Sequence, residues 1–242
     1  MSSDERLVGQ PDAGILQEEF PQLSECEQTA DQLGYRLDRI VARHPIEGVL
    51  DKIVSNRERI RALMGFAYGH KNGFDKFIID SLGDFMPRLR LHVWWNPNDS
   101  RESTVHNHPW DFASVIMAGR LVMRRYKQTE EAGLYRRFRF PTKANQASRD
   151  AVFEGCSGVS CTEELRFERG DSYSLSHSEL HSVIASKGAL VTLVLQGKHV
   201  ADYSIVYART SDPEQSPAVS RYFSEDEIQV KLNTLKCAIR RE

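Results

Sequence analysis

Between Arg88 and Ala208 the chain repeats short segments of alternating polarity, and this constrains its fold more than any other feature. Arg88-Leu-Arg-Leu-His-Val-Trp-Trp95 alternates strictly. Phe112 to Ala118, Arg120 to Gln128 and Leu134 to Phe140 follow, with Gly119 and Gly133 at turns. Residues 141–160 are turn-rich and weakly patterned, which reads as a long excursion. Strand patterns resume at Glu164–Glu168, Ser172–Leu175, Leu180–Ala185, Ala189–Leu195 and Tyr203–Ala208. Short strands at regular spacing with turn signals predict a mainly β sandwich or small barrel rather than a parallel sheet.

The flanks read differently. Residues 1–22 hold Pro11, Gly14 and Pro21 and form a loose lead-in. From Ser24, a plausible N-cap, Ala30, Leu33, Leu37, Ile40 and Val41 recur at helical spacing. His44-Pro45 breaks that helix. Val49 to Met64 carries a second amphipathic helix, and a third short one is expected around Phe74, Phe77, Ile78 and Leu82. Residues 1–86 are thus a helical region packing on the strands of 87–210. A linker and closing helix occupy 211–242, where Ser224-Glu-Asp-Glu227 has the capping-box pattern.

Composition excludes several roles. The 242 residues hold 32 basic and 34 acidic side chains, a formal net charge of -2 that suggests neither a nucleic-acid partner nor an anionic membrane. Arg120, Arg124, Arg125, Lys127, Arg136, Arg137 and Arg139 form a basic run across two strands, read as a solvated face. There is no secretory leader pattern at Met1–Arg6 and no apolar run long enough to span a bilayer. Four cysteines without a CxxC pair fit a reducing, cytoplasmic setting.

The chemistry centres on Val105-His-Asn-His-Pro-Trp-Asp-Phe112. On a strand, His106 and His108 project to one face, which supplies half a metal site. A third ligand must come from elsewhere; His181 is the leading candidate and His177 the spare.

The spacing of these residues resembles the two cupin motifs: His106-x-His108 running to Gly119, then Gly170 followed eleven positions later by His181. The likeness covers roughly residues 88–208. It implies a double-stranded β-helix barrel, with an N-terminal helical region and a C-terminal helix outside it, and one metal inside its mouth. The place of the usual acidic ligand is held by Phe112, with Asp111 one residue off and so on the opposite face. Ser100 stands where a glycine is usual. A three-histidine set without a carboxylate is similar to the thiol dioxygenase branch, of which cysteine dioxygenase is the familiar member. That branch carries a serine, histidine and tyrosine on alternate residues of a following strand. Here Thr192, Val194 and Gln196 stand there, and two of the three do not match that role.

What the resemblance implies is an oxidoreductase: a mononuclear non-haem Fe(II) dioxygenase acting with dioxygen on a small thiol or amino-acid-derived substrate. Three neutral imidazoles with open positions also suit catalytic Zn(II) or Mn(II) and a non-oxidative step, and a ligand-binding cupin without turnover is a further alternative. Asp111 is the candidate for the shell behind the imidazoles or for a substrate contact. Arg90 is the candidate fork for a substrate anion, and Tyr173 for a proton donor near the last motif. A homodimer is expected from the resemblance alone.

Overall fold

The computed structural model describes residues 11–22, 28–70, 72–84, 86–95, 102–130, 134–142, 151–186, 188–211 and 221–240. Four helices come first: α1 (Ile15–Glu19), α2 (Ala30–Arg43), α3 (Ile46–Val54) and α4 (Arg57–Ala62). Strands β1 (Ala67–His70), β2 (Phe74–Ser81) and β3 (Arg88–Trp94) follow, then β4 (Val105–His106), β5 (Trp110–Ala118) and β6 (Arg120–Thr129). Next are β7 (Tyr135–Pro141), β8 (Val152–Glu168), β9 (Ser172–Leu175), β10 (Leu180–Ala185), β11 (Leu190–His199) and β12 (Tyr203–Arg209). β13 (Arg221–Tyr222) and helix α5 (Glu225–Arg240) complete the order. No described helix is long and apolar enough to cross a membrane.

The strands form two antiparallel sheets, the mainly β architecture expected. One runs β13-β1-β2-β3-β11-β5-β9; the other closes on itself as β10-β4-β12-β7-β8-β6. Alternation along β3 explains how they stack. Leu89, Leu91 and Val93 are fully buried in a core shared with Leu33 and Leu37 of α2, Leu50 of α3 and Leu232 and Leu235 of α5. The helices therefore cover the outer face of the seven-stranded sheet. The other face of that sheet, with Trp110, Phe112, Ile116 and Val194, meets Leu121, Met123 and Ala185 of the second sheet in the barrel interior. This reverses the usual reading of an alternating strand, because the polar side of β3 points into the barrel.

Two glycines mark close approaches. At Gly119 φ is +81°, and an added Cβ would lie 2.3 Å from the Ala189 carbonyl oxygen, so only glycine closes this β5–β6 turn. At Gly197 an added Cβ would lie 2.9 Å from Leu33 Cδ1, which is how closely α2 rests on β11.

Several local expectations are corrected. The stretch 74–82 is not a helix: β2 pairs with β1 on one side and β3 on the other. A short apolar run with two β-branched isoleucines has no periodicity that separates strand from helix. The excursion over 141–160 contains the start of the 17-residue β8, which is largely exposed and held by backbone pairing to β6 and β7. With so little buried side-chain surface, it lacks the apolar alternation that marks other strands. The lead-in includes α1, whose Ile15 and Leu16 N–H groups donate to the buried Asp80 carboxylate at 2.8 and 2.9 Å.

Asn56 splits the second helix, its side chain accepting from Glu58 and Arg59 N–H. Thr29 caps α2 in a capping box with Gln32; Ser24, Ser100, Gly133 and most of the linker lie outside the described residues. The Ser224–Glu227 box is present as read, with reciprocal bonds of 2.9 and 3.3 Å.

Candidate metal centre

The H-x-H segment is pinned from both sides. Asn107, between the histidines, accepts from Ile205 N–H at 2.6 Å and donates its own N–H back to the Ile205 carbonyl at 3.1 Å. The Pro109 carbonyl accepts from Val200 and Ala201 N–H. β4 is only two residues long, yet it places His106 directly opposite His181 of β10. The rings of His106, His108 and His181 gather with centroids 4.6, 4.9 and 5.2 Å apart. One ligand nitrogen from each lies within 4.8 Å of the others. The three histidines named from spacing are thus brought together, with His181 buried and the other two partly exposed.

Backbone carbonyls orient two of these rings. His106 Nδ1 lies 2.8 Å from the Thr104 carbonyl and His181 Nδ1 lies 3.3 Å from that of Glu179. In a bond to a carbonyl Nδ1 carries the proton, which leaves the unprotonated Nε2 as the ring's ligand atom. Burial, reinforced by His106, holds the His181 imidazole down at about 3. Burial, then His106, His181 and Arg90, keeps His108 well below the ordinary histidine range. Neutral rings with free lone pairs are the form that binds a metal.

Phe112 stands beside the cluster, its ring 5.1 Å from that of His108 and 5.8 Å from that of His181. An apolar face therefore occupies the side where a carboxylate ligand is usual. Asp111 points the other way. Its Oδ1 accepts both the backbone N–H and the ring Nδ1–H of His177, at 2.7 and 2.8 Å. The outer shell expected from Asp111 is supplied by the Thr104 and Glu179 carbonyls, which no side-chain motif announces. His177 is bound to Asp111 and is not part of the three-imidazole group.

Arg90 and His92 both face the barrel interior. Arg90 is buried, with its guanidinium carbon 4.8 Å from the centroid of Trp110. Trp110 in turn stacks on His108 at 5.2 Å and 24°. His92 packs against Phe74 and Trp94, and burial, with Lys76 and Arg90 nearby, holds it neutral. Tyr173 stands one ring away from the histidines: it packs 6.2 Å from Phe112 and 4.8 Å from Phe167, and burial raises its hydroxyl. Lys76 was missed because its segment reads as helix; once that segment is a strand, Lys76 pairs with His92.

No family model and no curated relative matches the chain. Solved structures similar to it include cupin-domain proteins. A cupin-2 domain protein from Shewanella frigidimarina is 13% identical over 50% of this chain and 78% of its own, with a TM-score of 0.29. The Drosophila melanogaster CENP-C cupin domain is 8% identical over 54% and 74%, at 0.34. Hydroquinone 1,2-dioxygenase PnpCD, solved with Cd2+ and 4-hydroxybenzonitrile, is 14% identical over 50% and 62%, at 0.30. These proteins are similar to the chain at the level of a β-barrel, and the metal centre described above stands on its own geometry.

Proposed function

We propose that the protein is a cupin-type mononuclear Fe(II) oxygenase acting on a small thiol or amino-acid-derived substrate. One observation carries this reading: three imidazoles, two of them braced by backbone carbonyls, converge on one point beside the ring of Phe112, with no carboxylate in the group. A neutral ligand set leaves a bound divalent ion its full charge and leaves positions open for exchangeable ligands. Ferrous iron held there supplies a place where dioxygen and substrate meet. His106, His108 and His181 would hold it.

The chain's own side chains do the rest. Phe112 and Trp110 keep water from the inner side of the centre, which strengthens electrostatic contacts made there. Arg90, buried with its guanidinium carbon 4.8 Å from the centroid of Trp110, presents a planar fork to a substrate anion.

Anaerobic loading with ferrous iron, metal analysis, and oxygen uptake across a panel of thiols and amino acids test the reading. One iron per chain and substrate-dependent uptake are expected, with both abolished in His106→Ala at unchanged far-UV circular dichroism. Stoichiometric zinc with no uptake for any thiol would replace it with the non-oxidative alternative.

A further inference from the structure

Gln196 is completely buried on β11, and neither end of its carboxamide has a hydrogen-bond partner among the described residues. It shares its strand face with Val194, a barrel-interior residue, while Leu193 and Leu195 face the helices. Across the sheet it pairs with Phe112 on β5 and with Arg88 on β3. Phe112 is the ring that abuts His108 and His181, so Gln196 lies at the level of the three imidazoles, one strand over. A leucine there would fill the space without burying a bare donor and a bare acceptor. Buried carboxamides are ordinarily paired at both ends, and an unpaired one is completed by a group from outside the chain, a water, an ion or a ligand.

The chemistry of that ligand follows from the side chain. A carboxamide presents one donor and one acceptor edge to edge, and its complement is a group with the same pair in reverse. We propose that Gln196 is the specificity-determining residue of this site and recognises an amide-type edge, as in a primary carboxamide or lactam, on the bound small molecule. Its Nε2–H donates to the ligand carbonyl, and its Oε1 accepts from the ligand N–H. A simple carboxylate satisfies Nε2 but sets oxygen against Oε1, and an ester or ketone leaves Oε1 bare. Arg90 lies diagonal to Gln196 on the same strand face. The inference rests on reading the barrel interior as a substrate site, and it adds what that substrate must carry.

The test compares 2-pyrrolidinone, a lactam, with cyclopentanone, its donor-less analogue. Both are titrated into the full chain, zinc-loaded and metal-free, while the Gln196 side-chain NH2 resonances are followed by NMR. Leucine and methionine replacements at 196 assign those resonances and supply two folded controls. The lactam is expected to shift them and to bind about ten-fold or more tightly than the ketone, the difference one satisfied buried acceptor makes. In Gln196→Leu and Gln196→Met the two probes should bind within about two-fold of each other. Equal binding of both probes by the parent chain, or a lactam preference that survives both replacements, overturns the assignment. Neither result depends on oxygen uptake, so the oxygenase reading stands or falls separately on the iron experiment.

Discussion

Asp111 couples the two segments that carry the histidines. It sits three residues after His108, and its carboxylate holds His177, four residues before His181. A single side chain thus ties the start of β5 to the loop that presents the third ligand. Replacing it with asparagine keeps the size but removes the charge and one acceptor arrangement. Asp111→Asn is expected to bind metal with unchanged stoichiometry and about ten-fold lower affinity, as befits one charge-assisted hydrogen bond. Competition against a calibrated chelator measures it. An unchanged affinity would show that the loop places His181 without this tie. At the same scale, the carbonyls of Thr104 and Glu179 show why side-chain motifs are an incomplete guide: every residue carries a carbonyl, and only folded geometry selects the two that matter.

Glu102 plays the corresponding part for an element, the closed second sheet. It bonds Ser182 of β10, Tyr126 of β6 at 2.6 Å and Arg124 of β6 at 2.9 Å, with Arg209 of β12 within 3.9 Å. Burial pushes this carboxyl up, but the hydrogen bonds from Ser182 and Tyr126 and the charge of Arg124 outweigh it and leave it below the usual range. The Tyr126 hydroxyl is pushed up to about 12 by burial and by Glu102. A carboxyl whose folded value lies below its unfolded one stabilises the fold above the unfolded value, and that contribution is lost as pH falls through the folded value. Glu102→Gln is therefore expected to cost about 1–3 kcal/mol at pH 7. The gap from the parent should close on acidification below about pH 4. Urea unfolding across pH 3–7 reads both, and a gap independent of pH would mean the loss is one of packing.

For the whole molecule, the seven-stranded sheet is the shared wall between a helix-side core and the barrel interior. Leu33 of α2 packs where Gly197 of β11 lets the helix approach, one residue from Gln196 and facing the opposite side. Leu33→Ala should cost about 2–5 kcal/mol of stability. Metal stoichiometry below the lowered transition should stay at one per chain, because the imidazoles hang from the other sheet and from β5's start. Thermal unfolding with metal analysis checks this; loss of metal before unfolding would show that the helix layer tunes the centre directly.

The strands of 88–95, 112–128 and 172–208 and the helix behind Ser224 were legible because each has one apolar face that must be buried, and period 2 or 3.6 records it. The histidine pair was legible from its spacing, but β4 ends at His106, and it is the pinning of Asn107 and Pro109 that carries His108 into the same group. β2 and the first part of β8 were not legible, the first because its short apolar stretch Phe77-Ile78-Ile79 suits either state, the second because its stability lies in backbone pairing that leaves no mark on side chains. Which face of β3 looks inward was also hidden. Arg90 and His92 line the barrel only because helices, distant in the chain, claim Leu89, Leu91 and Val93.

By itself, then, the order of residues determined periodicity, turn positions and the three imidazoles, since these are local consequences of side-chain polarity and backbone geometry. Only tertiary structure decided that the Thr104 and Glu179 carbonyls brace two of the rings, that Asp111 serves His177, and that Gln196 is sealed in with both ends bare. Those outcomes depend on which strands become neighbours, and strand partnership is settled by the simultaneous burial of many distant surfaces.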